Sequence, residues 1–70
     1  MSQYEQFFAD WLTTQRTHPE WRRGQAAFNC LASNFPELAE KVSGSLTVDP
    51  FHDDSKLDAF FIYISKYMSL

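Results

Sequence analysis

Apolar and polar positions alternate along this chain with the period of helices. Tyr4, Phe7, Phe8, Trp11 and Leu12 follow the i, i+3, i+4, i+7, i+8 series of an amphipathic helix, while Gln3, Glu5, Gln6 and Asp10 fall off that stripe. Ser2 with Glu5 three residues on is a capping-box pattern, in which each side chain satisfies a backbone N–H of the other. The spacing predicts a first helix over Gln3–Gln15, with Thr13, Thr14 and Thr17 weakening helix propensity near its end.

A second stripe runs through Trp21, Gly24, Phe28, Leu31 and Phe35, widened by Ala27 and Cys30. Thr17 or His18 is the expected cap of this helix and Pro19 its first residue, where a missing N–H costs nothing. Gly24 inside a helix costs about 1 kcal/mol relative to Ala. The expected compensation is close approach of the first or the last helix to the bare backbone. Pro36 ends the second helix, because a residue before proline disfavours the helical region. Asn34 can cap the next, a short helix in PELAEKVSG with Leu38 and Val42 buried and Gly44 at its C′ position.

SLTVDP reads as an extended connector, with Leu46 and Val48 as anchors and Asp49-Pro50 as a turn. Phe51 is the expected plug beneath it. Asp53 or Asp54 caps a last helix carrying Leu57, Phe60, Phe61, Ile64, Tyr67 and Met68 on one stripe, with Ile62 and Tyr63 outside it. The expected fold class is all-α: a small compact bundle of three long helices plus one short helix, without a sheet, in a single domain spanning residues 1–70.

Composition explains how so short a chain builds a core. A domain of this size buries only about 60% of the surface its unfolded chain exposes. With one cysteine, Cys30, it holds no internal disulfide. Seven Phe, three Tyr and two Trp supply the burial instead. A net charge of −3 argues against a broad electrostatic grip on nucleic acid. The first residues have neither the basic region nor the apolar run of a signal peptide, and no stretch approaches a membrane span. A cytoplasmic protein without membrane attachment is expected. Cys30, in mid-helix, reads as a small buried thiol.

Candidate chemistry is sparse. Asp49, His52, Asp53 and Asp54 are the nearest approach to a metal site, but they lack the spacing, central Gly and distal Glu of a calcium loop. A turn followed by a cap accounts for them. His18 and His52 have no patterned nucleophile beside them. No cofactor, metal site or enzymatic activity is expected. Trp21-Arg22-Arg23 combines an aromatic and two guanidiniums near a helix start, which suits phosphate and base contact. The remaining basic residues form no continuous stripe. Gln25 and Asn29, four apart at the margin of the apolar stripe, either fasten the Asp49–Asp54 turn onto the second helix or contact a partner. Tyr63, Tyr67, Ile62 and Met68 are the surplus rings and aliphatics, covering the first helix, a homodimer contact or another protein.

The strings HPEWRRGQAAFNCL, FPELAEKVSG and DPFHDDSKLDAFFIYI together resemble a group of short proteins encoded by tailed phages and prophages. That group shares a Pro-x-Trp-Arg-x-Gly-Gln-x-x-Phe-Asn block, a Leu-Ala step, a Gly and an Asp-Pro-Phe turn. The matching positions here are Pro19, Trp21, Arg22, Gly24, Gln25, Phe28, Asn29, Leu38, Ala39, Gly44, Asp49, Pro50 and Phe51. The resemblance runs from about Phe7 to Tyr67. His52 stands where an aromatic is expected, and Ser43 where a basic residue precedes the Gly. The resemblance implies an accessory protein that acts by binding a host or viral protein, as in host takeover or anti-defence, and implies no catalytic residue. Trp21, Arg22, Arg23, Gln25 and Asn29 are the expected contact residues. The alternative is a nucleic-acid-associated regulator working through Arg22 and Arg23.

Overall fold

A computed structural model describes residues 2–69 of the chain. It contains four α-helices, α1 (Gln3–Thr17), α2 (Arg23–Asn34), α3 (Pro36–Val42) and α4 (Leu57–Ser65), and a 3-10 turn over Asp54–Lys56. No strand occurs among the described residues. The Cα radius of gyration is 10.9 Å, close to the ~11 Å expected of a compact chain of this length.

α1 begins as the sequence indicates. The Ser2 hydroxyl accepts from the Glu5 N–H at 3.1 Å, and the Glu5 carboxylate accepts from the Ser2 N–H at 3.0 Å. Donation to the carboxylate favours its charged form, so the Glu5 carboxyl is held below its ordinary range, chiefly by the Ser2 backbone N–H and then by the Ser2 hydroxyl. The helix runs two residues beyond the expected Gln15, with the Thr14 and Thr17 hydroxyls donating back to the Asp10 and Thr13 carbonyls. A second orphan donor at its start is met from far along the chain: the Tyr4 N–H donates to the Ser69 carbonyl at 3.1 Å. Gln3 and Ser69 also exchange bonds, Gln3 N–H to Ser69 Oγ and Ser69 N–H to Gln3 Oε1.

α2 departs from expectation at its start. Pro19 does not open a helix. The Trp21 N–H donates to the His18 carbonyl at 3.0 Å, making Pro19-Glu20 the corner of a turn, and α2 begins only at Arg23. The physical reason is that proline's fixed φ suits a turn corner as well as a first helical position. Leu31, Cys30, Ala26 and Ala27 are buried in the core, whereas Trp21, Phe28 and Phe35 are half-buried against it. Phe35 closes α2 and opens α3 in one residue: its N–H donates to Leu31, and its carbonyl accepts from Ala39. Asn34 does not cap α3; its side-chain amide donates back to the Cys30 carbonyl at 3.0 Å.

The connector after α3 is folded rather than extended. Gly44 sits at φ +79°, in the left-handed region that glycine occupies without strain. Ser45 Oγ then accepts from the Thr47 and Val48 N–H groups, a serine-built turn. Leu46 is 87% exposed and anchors nothing, while Val48 packs on the core. Pro50 is fully buried, and Phe51 is half-buried, edge-on to Phe28. The Asp53 side chain caps the 3-10 turn through the Ser55 N–H at 2.9 Å. Leu57, Phe60 and Ile64 of α4 then enter the core with Met68 beyond it. Tyr67, expected on the buried stripe, is 52% exposed, with the Lys41 ammonium 4.9 Å from its ring centre.

Candidate functional site

The Asp49–Asp54 loop is clamped onto the start of α2, and three side chains make the clamp. The first turn of a helix carries N–H groups without intrahelical partners. The Gly24 N–H, one of these, donates to Asp54 Oδ1 at 2.8 Å. Asp54 thus caps α2 from thirty residues downstream, where the helix dipole favours its charge. The Arg22 guanidinium donates to the Phe51 carbonyl and stands 3.9 Å from Asp54. Asp49 holds the loop's own shape, accepting from the Phe51 N–H at 3.0 Å and the Gly44 N–H at 2.7 Å. The close approach expected at Gly24 is real, but the neighbour is the Pro50 carbonyl and not a helix.

This geometry divides the five residues expected to contact a partner. Arg22 has a structural duty, fastening the loop. Arg23 lies with its guanidinium 5.8 Å from the Trp11 ring centre, and the Trp11 indole N–H donates to the Arg23 carbonyl at 3.0 Å. The sequence left both arginines without such a duty. Gln25 does not reach the loop; its Oε1 accepts from the Arg22 N–H at 3.3 Å, closing the first turn of α2. Asn29 does not tie the loop either. It lines a groove between α1 and α2 together with Trp21, whose ring stacks on His18 at 3.9 Å and 12°.

The acidic loop is committed to backbone donors. Asp53 binds Ser55 through both its hydroxyl and its N–H, which together lower the Asp53 carboxyl below its usual range, the hydroxyl contributing most. Among the described residues no three His, Cys, Asp or Glu side chains are grouped so as to hold a metal ion. Cys30 is buried, and burial pushes its thiol pKa up, which works against nucleophilic chemistry.

A different surface carries exposed apolar groups. Phe8 and Leu12 are each 42% exposed on α1, and Ile62 is 64% exposed on α4. Phe61 lies between the helices, with ring centres 5.8 Å from Phe8, 4.9 Å from Trp11 and 6.2 Å from Tyr4. Sequence reasoning placed Phe8 and Leu12 on the buried stripe. The signal that separates them is position within it: they occupy one edge, four residues apart, while Phe7 and Trp11 hold the centre and reach the core.

No protein-family model, curated protein or solved structure matches this chain. No helix among the described residues is long and apolar enough to cross a membrane.

Proposed function

We propose that this chain is a small non-enzymatic binding module that uses the α1/α4 face to engage another protein. The observation that carries this reading is the exposed pair Phe8 and Leu12 on α1 beside the Phe61 ring of α4, with Ile62 also exposed on α4. Exposed apolar groups that lie together, with aromatics among them, characterise protein contact surfaces. The engagement of Arg22 and Arg23 in holding the loop and covering Trp11 moves the emphasis away from that edge of α2. The resemblance of the HPEWRRGQAAFN and DPF blocks to short tailed-phage proteins supports a host or viral protein as the partner, in an accessory role that modulates it.

The test is capture from host lysate with three baits: wild type, the double variant Phe8→Gln/Ile62→Gln, and Arg23→Ala. A specific partner retained by wild type and Arg23→Ala but lost from the double variant is the expected result. Loss with Arg23→Ala, or retention by the double variant, would move the contact surface elsewhere. Sedimentation of the purified protein separates a homodimer on the same face, which would dissociate in the double variant.

A further inference from the structure

The chain holds three tyrosines, Tyr4, Tyr63 and Tyr67. Two of them meet at the end of α4. Side chains four apart on a helix are neighbours, with Cβ atoms about 5–6 Å apart. The Tyr63 and Tyr67 ring centres lie 5.2 Å apart, with their planes at 50°. The backbone holds that spacing although α4 itself ends at Ser65. The Tyr67 and Met68 N–H groups both donate to the Ile64 carbonyl, at 3.0 and 3.2 Å, and the Met68 side chain is buried. The Lys41 ammonium of α3, 4.9 Å from the Tyr67 ring centre, also holds that ring. Tyr4 packs edge-on against Phe61 instead. Tyr67 is exposed and Tyr63 half-buried, so both rings are open to a reagent from solvent. The Cys30 thiol, a competing reductant, is buried and sheltered from it.

We propose that Tyr63 and Tyr67 are an oxidative cross-linking site, joined into an intramolecular dityrosine by a one-electron oxidant of the haem-peroxidase type working with hydrogen peroxide. Each phenol gives up one electron and its O–H proton, leaving a phenoxyl radical shared with the ring carbons beside the oxygen. The two radicals join at one such carbon on each ring, forming a C–C bond. The hydrogen on each joined carbon then moves to the oxygen and restores both phenols. Two electrons and two protons leave the chain, and they reduce one peroxide to two waters. Held neighbours replace a chance encounter, so coupling within a chain outruns coupling between chains. The new bond staples the turn just before Ser69, whose carbonyl accepts from the Tyr4 N–H at the start of α1. This site is separate from the α1/α4 contact face, and its failure would leave that reading untouched.

The experiment treats the whole chain with a haem peroxidase and hydrogen peroxide over a wide range of protein concentration. N-acetyl-tyrosine amide is coupled alongside as the positive control. The expected product is a monomer lighter by two hydrogens, with blue dityrosine fluorescence and a peptide map that joins Tyr63 to Tyr67. Its yield per chain should not change with protein concentration. Tyr63→Phe and Tyr67→Phe should each lower the fluorescence about tenfold or more, whereas Tyr4→Phe should leave it unchanged. Circular dichroism checks that each variant keeps its helices. In the cross-linked chain the Tyr4 amide should exchange more slowly than in the untreated one; unchanged exchange would overturn the staple. Covalent dimers in place of the monomeric product, a cross-link through Tyr4, full fluorescence in Tyr67→Phe, or no product while the control couples would each overturn the site.

Discussion

Replacing Gly24 by alanine separates two physical effects of opposite sign. In an open helix interior the change stabilises by about 1 kcal/mol, because alanine loses less backbone freedom on folding. Here a Cβ would fall well inside van der Waals contact of the Pro50 carbonyl and 2.8 Å from Asp54 Oδ1. The Pro50 oxygen is backbone and Pro50 is fully buried, so the loop itself has to move. Moving it lengthens or breaks the Gly24–Asp54 bond, a charged contact of the kind worth about 1.5–3 kcal/mol. Overpacking adds about 1–3 kcal/mol. After subtracting the propensity gain, Gly24→Ala is expected to destabilise by about 1.5–5 kcal/mol. In a domain of this size that lowers Tm by roughly 6–40 °C. Thermal melts followed by circular dichroism measure it, with the exposed α2 residue Ala32 changed to Gly as the propensity control, expected to cost about 1 kcal/mol. An unchanged or raised Tm for Gly24→Ala would refute the claim that the loop is seated on α2.

Asp54→Ala, which removes the remote cap, should cost about 1–2 kcal/mol, and much less in the Gly24→Ala background, where the bond is already lost; a double-mutant cycle reads the coupling. Glu5 and Asp53 have carboxyls lowered by their Ser2 and Ser55 bonds, so their stabilisation is present above the ordinary carboxylate range. It is lost as pH falls through the lowered values. Acid melting curves should therefore steepen at the low end of that range, and Glu5→Gln with Asp53→Asn should flatten them. In a gel shift, wild type should leave both duplex and single-stranded nucleic acid unretarded even at low salt; retardation that weakens steeply with salt and vanishes in Arg22→Ala/Arg23→Ala would restore the nucleic-acid reading.

Periodicity and capping carried most of the fold. The α1 stripe and its Ser2–Glu5 box, the Phe35-Pro36 break, the Gly44 stop and the helical reading of FFIYI all rest on local chemistry, and local chemistry is what a sequence displays. Misreadings arose where one local signal serves two structures. Pro19 fits a turn corner as well as a helix start, and here it makes the turn. Ser45 offers a hydroxyl that folds the connector into a turn, where the apolar spacing of Leu46 and Val48 suggested extension.

The site was harder to read, because its partners are distant in sequence. Gly24 signals close approach but not what approaches, and its neighbour arrives from Pro50 and Asp54. Two adjacent acids competed for one cap; Asp53 took the nearby turn and Asp54 crossed to α2. The arginines looked unemployed because a backbone carbonyl acceptor, such as that of Phe51, has no sequence signature. The exposed Phe8 and Leu12 lay hidden in a stripe that periodicity alone makes uniformly buried.

The HPEWRRGQAAFNCL and DPFHDD segments form one clamped unit through the Gly24–Asp54 bond, and hydrogen exchange at the Gly24 amide tests that most directly. An N–H in the first turn of a helix, left to water, exchanges with little protection. With its proton donated to Asp54 beneath a seated loop, the Gly24 amide should exchange about as slowly as the core amides of α2 and lose that protection in Asp54→Ala. Exchange as fast as a frayed helix end in the wild-type protein would contradict the clamp and the assignment of structural roles built on it.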